Sequence, residues 1–218
     1  MATRTRRGRP RLTADQRLAQ RAELLSSAMD SIRRRGAAVS IDDIAADSGM
    51  SKPVIYGHFG DRVGLADAIA VVVADGVTEE TLTSIQAHVD AGEPVDFDGA
   101  IAALVSALFD LVENEPAIYG FLVRTIRSAE LGFFDNALVE VIRERGGRLV
   151  EIANPKIPEQ SRAVLVDGAF GFLLFSIESW IGRPILSRDE MVTTLTRAVV
   201  AGFDSAESGD DPPATTGR

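Results

Sequence analysis

Apolar residues recur every three or four positions through almost the whole chain, and this spacing restricts the fold more than any other feature. Between Thr13 and Gly36, the apolar side chains at 18, 22, 25, 29 and 32 share one face of a helix. Similar segments follow at about 61–89, 97–114, 116–127, 130–153, 158–182 and 187–206, separated by Gly and Pro. No segment shows sustained period-two alternation with strand-forming residues. The sequence therefore predicts an all-α protein with about nine helices.

The segment between residues 40 and 59 predicts two short helices joined by about three residues. Ser40 followed by Asp43 is a variant of the capping box, and Gly49 ends the first helix. Ser51 can cap the second helix, with Pro53 in its first turn, where a missing N–H costs little. Helices this short are not stable alone, so we interpret the pair as a helix-turn-helix that packs on the first long helix. A plain helical hairpin is the alternative.

Charge is distributed very unevenly along the chain. Residues 1–35 contain ten arginines and three acidic residues, a net charge of +7. Residues 36–218 contain 13 basic and 29 acidic residues, a net charge of −16, and the whole chain sums to −9. A basic end on an acidic body indicates a local site for a polyanion. We expect a flexible basic arm at 1–12, a helix-turn-helix domain at 13–60, a larger helical domain at 61–206 and a disordered tail at 207–218.

Composition argues against several classes of protein. The absence of cysteine excludes disulfides, thiolate nucleophiles and zinc fingers, and two histidines leave little for a metal site. The sequence contains no Gly-rich phosphate loop and no motif typical of a hydrolase. No secretory signal or membrane span is predicted. We therefore expect a cytoplasmic, non-enzymatic protein without cofactor or metal, and a helical enzyme acting on a small molecule is the rival hypothesis.

Residues 39–65 resemble the N-terminal domain of the TetR/AcrR family of one-component transcriptional regulators. The specific part is Tyr56-x-His58-Phe59, followed by Gly60-Asp61-Arg62 and Leu65, at the family's distance from Ala45 and Gly49. The resemblance covers about residues 14–70, and beyond it only length and helical character agree. It implies a homodimer that binds a palindromic operator in double-stranded DNA and responds to a small-molecule effector.

DNA contacts are expected on both sides of the turn. The candidates are Ser40, Ser51, Lys52, Val54, Tyr56, His58 and Arg62, together with Arg6, Arg7 and Arg9 of the arm. The two serines would present hydroxyls and free backbone N–H groups to phosphate, and Val54 could touch a thymine methyl. The alternatives are a packing role for His58 and Tyr56, a merely solvated Lys52 and a generic solubilising arm. Relatives often carry Gly and Thr or Ala at positions 53 and 54, so base preference stays open.

The C-terminal helices are the candidates for the dimer interface. One stripe of the segment 158–182 contains Leu165, Ala169, Phe172, Ser176 and Trp180. A helix that is apolar over so much of its circumference must be covered on two sides. Two such helices from each subunit could form a four-helix bundle across a two-fold axis. Packing within one subunit is the alternative.

Aromatic and embedded polar residues indicate a ligand pocket in the larger domain. The candidates are Tyr119, Phe121, Arg124, Phe134, Phe175 and Glu178, for each of which a structural role is the alternative. The resemblance implies a repressor that a ligand releases from its operator, and these candidates predict that the ligand is mostly hydrophobic. A DNA-binding protein that acts without a ligand is a further alternative.

Overall fold

The computed structural model describes residues 13–128 and 137–207, and within these ranges the chain forms nine α-helices and no strand. The helices are α1 (Ala14–Arg35), α2 (Ile41–Ser48), α3 (Lys52–Phe59), α4 (Arg62–Ala91), α5 (Phe97–Asn114), α6 (Pro116–Ser128), α7 (Ala137–Ala153), α8 (Glu159–Gly182) and α9 (Arg188–Glu207). The predicted all-α class is confirmed, and most helix ends lie within one or two residues of their expected positions. The arm, the first residues of the predicted helix 130–153 and the tail from 208 lie outside the described residues.

Side-chain caps determine where the first two helices begin. Thr13 Oγ1 accepts a hydrogen bond from the Gln16 backbone N–H at 3.2 Å, and Gln16 Oε1 accepts from the Thr13 N–H at 3.0 Å. Ser40 and Asp43 exchange the same two bonds at 3.2 and 3.1 Å. Each box satisfies backbone donors that have no partner within their own helix. The capping box predicted at Ser40 is therefore confirmed.

The turn between α2 and α3 depends on one glycine and on small or buried apolar residues. Gly49 has a φ of 64°, in the left-handed region that favours glycine, and it ends α2. Ala45 on α2 is buried, and so are Ile44 and Ile55, which are 0% and 1% exposed. These contacts hold α3 across α2 and fix the surface that α3 presents to solvent.

The helices surround two hydrophobic cores. The N-terminal core joins α1, α2, α3, the first part of α4 and the first part of α6. The body core joins α5, α7, α8 and α9 around the second half of α4. Because α4 contributes to both, it connects the short N-terminal helices to the larger body.

Helix α8 differs from the other helices in how much apolar surface it leaves uncovered. Val166, Leu173 and Ile177 are buried, whereas Val164 and Phe175 are 72% and 77% exposed. By length and composition α8 is the one helix among the described residues that could cross a membrane. In this fold the buried residues of α8 pack against α7 and α9, and the opposite side of the helix is exposed to solvent.

Candidate DNA-binding surface and ligand cavity

The exposed face of α3 combines a cation, a phenol and a free hydroxyl. Ser51, Lys52 and Tyr56 are exposed, while Ile55 is buried and Val54 is half-buried against the N-terminal core. Ser51 precedes the first turn, and its side chain makes no capping hydrogen bond. Its hydroxyl is therefore free to meet an anion beside the N-terminus of α3.

Lys52 is paired with an acidic residue that the sequence did not single out. Its Nζ lies 2.6 Å from Asp42 Oδ2, and both side chains are more than half exposed. An exposed ion pair of this kind contributes little to stability, so it can open at small cost. Lys52 can therefore exchange Asp42 for a phosphate or a base edge.

The two ring residues at the end of α3 have different surroundings. The Tyr56 side chain is 47% exposed, and its hydroxyl has no hydrogen-bond partner among the described residues. The His58 ring is half-buried, with Nε2 3.2 Å from Gln20 Oε1 on α1. His58 therefore ties α3 to α1, while Tyr56 is the ring open to a binding partner.

Arg62 lies inside the fold, where the sequence predicted a phosphate-facing clamp. Its guanidinium donates hydrogen bonds to the backbone carbonyls of Val39 and Ala37. It also lies over the Phe121 ring, with Cζ 4.2 Å from the ring centroid. Burial, followed by the charge of Arg124, lowers the pKa of Arg62. Arg62 therefore joins α4 and α6 to the α1–α2 connection, with Nη1 and Nη2 each donating to a backbone carbonyl.

A charge network that the sequence did not reveal holds α2 against the end of α1. Asp47 accepts from Arg35 Nη2 at 2.7 Å and from the Ser31 hydroxyl at 2.6 Å. The hydrogen bond from Arg35, followed by the one from Ser31, holds the pKa of Asp47 well below its usual range. The spacing of 12 residues between Arg35 and Asp47 gives no helical register, so only the packed structure brings them together.

The larger domain contains a cavity of about 170 Å³, lined by residues of α4, α5, α6, α7, α8 and α9. Its wall is almost entirely apolar, and Thr78, Tyr119 and Arg145 are the polar side chains among its lining residues. Apolar cavities of roughly this size, about 150 Å³, stay dry and accept small apolar molecules. Arg145, which was not among the predicted ligand residues, forms an ion pair with Asp75 on α4.

The six predicted ligand residues are dispersed in the structure. Tyr119 lines the cavity and donates a hydrogen bond from its hydroxyl to Glu178 Oε1 at 2.8 Å. Burial, followed by this hydrogen bond, raises the pKa of Tyr119. Phe121 is buried in the N-terminal core, Arg124 is exposed, Phe175 is 77% exposed and Phe134 lies outside the described residues. Tyr119 and Glu178 are the members that the fold brings together.

The predicted dimer stripe is turned partly inward. Leu165, Ala169 and Trp180 pack against the body core, and the Trp180 ring meets Phe109 edge-on at 5.1 Å. Ser176 is half-buried and Phe172 is 43% exposed. The open face of α8 is the neighbouring one, which contains Val164, Gly168, Phe172, Phe175 and Ser179.

Helix α6 contacts both the cavity and the helices of the N-terminal region. Its Tyr119, Leu122 and Val123 line the cavity. On its other side it lies so close to the α1–α2 connection that a Cβ on Gly120 would stand 3.1 Å from Ala37 Cβ. The Arg33 guanidinium on α1 also makes two hydrogen bonds of 2.9 Å to Glu115, just before α6. The two regions are therefore in direct mechanical contact.

Residues 24–69 match the sequence model described as bacterial regulatory proteins of the tetR family. Over 197 residues the chain is 25% identical to an uncharacterized HTH-type transcriptional regulator of Mycobacterium tuberculosis, Rv0472c. That match covers 87% of this chain and 79% of the relative. The matched segment contains the whole helix-turn-helix described above.

Solved structures share the fold over most of the chain. The TetR family repressor AlkX of Dietzia, implicated in biodegradation of n-alkanes, superimposes with a TM-score of 0.63 at 20% identity. That comparison covers 88% of this chain and 98% of the repressor. The transcriptional regulator FadR of Bacillus subtilis, solved in complex with stearoyl-CoA, superimposes with a TM-score of 0.61 at 14% identity, covering 83% and 98% of the two chains.

Proposed function

Because residues 24–69 match the tetR family of bacterial regulatory proteins, we propose that this chain is a cytoplasmic, homodimeric repressor of that family, which a mostly hydrophobic ligand releases from a palindromic operator. The observation that carries the proposal is the apolar cavity, whose wall includes residues of α4 and α6. Both helices also contribute to the N-terminal core that positions α3. A ligand in the cavity therefore contacts the same elements that hold the DNA-reading surface.

In this proposal α3 faces the bases of the DNA, and the arm at 1–12 adds further contacts with the DNA. Lys52 and Tyr56 face the DNA, with Val54 at the edge of the surface and the Ser51 hydroxyl on a phosphate. His58 and Ser40 support the reading surface, because their polar groups are engaged with Gln20 and Asp43. The arginines at 6, 7 and 9 bind phosphate or the minor groove, since the net charge of −16 on residues 36–218 repels DNA elsewhere.

Dimerisation covers the open face of α8. Val164, Phe172 and Phe175 leave an apolar stripe in solvent, and an exposed patch of this kind marks an interaction site. A two-fold axis through this face would place the stripe of one copy against that of the other. The two copies of α3 would then meet successive major grooves of a palindrome.

Ligand binding acts by shifting the population of two arrangements. A ligand that fits the cavity better when α6 and α4 are displaced favours a separation of the two α3 helices that no longer matches the operator. Operator affinity then falls by the coupling free energy, typically about 1–3 kcal/mol. Because linkage is reciprocal, DNA weakens ligand binding by the same factor.

Selection of bound duplexes from a random pool tests the DNA-binding part of this proposal. We expect a palindromic site, bound by a dimer with an affinity that falls steeply as salt rises. Lys52→Ala should weaken binding and make the salt dependence shallower by about one ion per subunit. Lys156→Ala, which removes the other lysine of the chain, is the control. Binding that is insensitive to salt, or equal losses in both variants, would contradict the proposal.

A further inference from the structure

The cavity wall contains polar side chains, yet it exposes almost only carbon atoms to the cavity. Thr78, Tyr119 and Arg145 are the polar residues among the described lining residues. Thr78 Oγ1 donates a hydrogen bond to the Ala74 carbonyl of its own helix at 2.7 Å. The polar atoms of Tyr119 and Arg145 are engaged by two carboxylates that are not among the lining residues. The wall therefore contains polar residues without presenting their polar atoms to a ligand.

Glu178 engages the phenol of Tyr119 from outside the wall. Its Oε1 accepts a hydrogen bond from the Tyr119 hydroxyl at 2.8 Å, and Glu178 itself does not line the cavity. Tyr119 lies on α6 and Glu178 on α8, so this bond fixes the ring between two helices that both contribute to the wall. A phenol has one proton to donate, and that proton is directed to Glu178. A molecule in the cavity therefore meets the ring carbons of Tyr119 and no free O–H donor.

Asp75 has the same relation to Arg145. Nη2 of Arg145 on α7 forms an ion pair with Oδ1 of Asp75 on α4, and Asp75 does not line the cavity. The side chains are 29% and 46% exposed, so solvent reaches the pair. A long basic side chain can lay its apolar stem on a hydrophobic surface while its charged end stays in water. Arg145 therefore contributes carbon atoms to the wall, and its charge is paired with Asp75 near the surface.

We propose that Asp75 and Glu178 determine the ligand class from outside the wall: by engaging Arg145 and Tyr119, they restrict the cavity to neutral, hydrocarbon-like molecules and exclude molecules with a carboxylate or a hydroxyl. This inference rests on the proposed function, because it assigns a chemical class to the ligand of that cavity. A carboxylate or hydroxyl that enters the cavity loses its hydrogen bonds to water and finds no partner in the wall. A hydrocarbon loses no hydrogen bond and gains free energy by leaving water.

Three probes that share a benzene ring test the ligand class. Toluene, benzyl alcohol and benzoate are titrated calorimetrically into the full-length protein, since a cavity of about 150 Å³ accepts benzene. We expect toluene to bind at least about tenfold more tightly than benzyl alcohol, and benzoate to bind more weakly still. Benzyl alcohol or benzoate binding as tightly as toluene would overturn the inference.

Two variants test whether the carboxylates exclude the polar probes. Asp75→Asn removes the charge that pairs with Arg145, so benzoate should gain at least about tenfold in affinity relative to toluene. Glu178→Ala removes the acceptor and uncovers the phenol, so benzyl alcohol should gain about fivefold relative to toluene. Adding Tyr119→Phe to Glu178→Ala should abolish that gain. Glu79→Gln, which removes an exposed carboxylate one turn further along α4, should leave both ratios at their wild-type values.

The toluene affinity of each variant is the reference, because it also shows that the variant retains a folded cavity. Toluene binding with unchanged ratios in Asp75→Asn and Glu178→Ala would overturn the inference alone. Failure of toluene to bind the wild-type protein would overturn it together with the ligand-binding part of the proposed function. Operator binding by the same preparations is measured in parallel, because its loss would count against the DNA-binding part of the proposed function.

Discussion

The N-terminal core and the body core are built from the same apolar residue types, yet they share the cavity unequally: many buried residues of the body core line it, whereas the N-terminal core reaches it through Ala70 and Leu122. Leu24, Ile32, Ile44 and Leu65 of the N-terminal core are all 0% exposed. The body core contains equally buried residues, but several of them also face the cavity of about 170 Å³. Since closely packed side chains allow little motion, the buried residues around α3 can hold it at a fixed angle for reading DNA. An incompletely filled core has room for a ligand, which suits the receptor half of the molecule.

The largest expected difference between the two cores is in the cost of removing a buried leucine. Leu65→Ala in the N-terminal core should lower the free energy of unfolding by about 3–5 kcal/mol, because all sides of the side chain are packed. Leu149→Ala, at a residue that is 2% exposed and lines the cavity, should cost about 2–3 kcal/mol, because one side already faces a void. Denaturant unfolding of both variants measures the difference. Equal losses would mean that the cavity is collapsed in solution.

A smaller effect is expected from a charge placed on the exposed surface of α8. Phe175→Glu places a charge in the open stripe of α8 and should convert the proposed dimer to a folded monomer. Loss of the second binding module should then weaken operator binding by about 100-fold or more. Thr83→Glu adds the same charge to an exposed position of α4 and should leave the dimer intact. Sedimentation velocity and operator titration provide the measurements, and a dimeric Phe175→Glu protein would place the interface elsewhere.

The smallest expected effect compares two adjacent glycines in the body. Gly147→Ala meets no atom within 4 Å and should stabilise α7 by up to about 1 kcal/mol through helix propensity. Gly146→Ala would place its Cβ 2.8 Å from Val166 Cγ1, so a stiff valine on α8 must move and the gain should be lost. Thermal unfolding of the two variants is the check. A gain of the same size at both positions would show that α7 and α8 are less tightly packed than the structure describes.

Much of the N-terminal region could be predicted because its determinants are local. The capping box at Ser40, the left-handed Gly49 and the buried Ile44 and Ile55 follow from residue types at fixed short spacings. Short spacings determine less where a side chain has partners from several elements. Arg62 illustrates this, since its spacing in α4 is compatible with either a phosphate contact or its observed bonds to Val39 and Ala37.

The sequence by itself determined the helices, their ends and the helix-turn-helix, since periodicity and caps act within a few residues. It also determined the split between a basic end and an acidic body. Only the tertiary structure decided which side of α8 is open, that Tyr119 meets Glu178, and where the cavity lies. A helix that is apolar over most of its circumference has several faces that could be buried. Which of these faces is buried depends on the neighbouring helices. The positions of those helices depend on contacts between residues that are far apart in the chain.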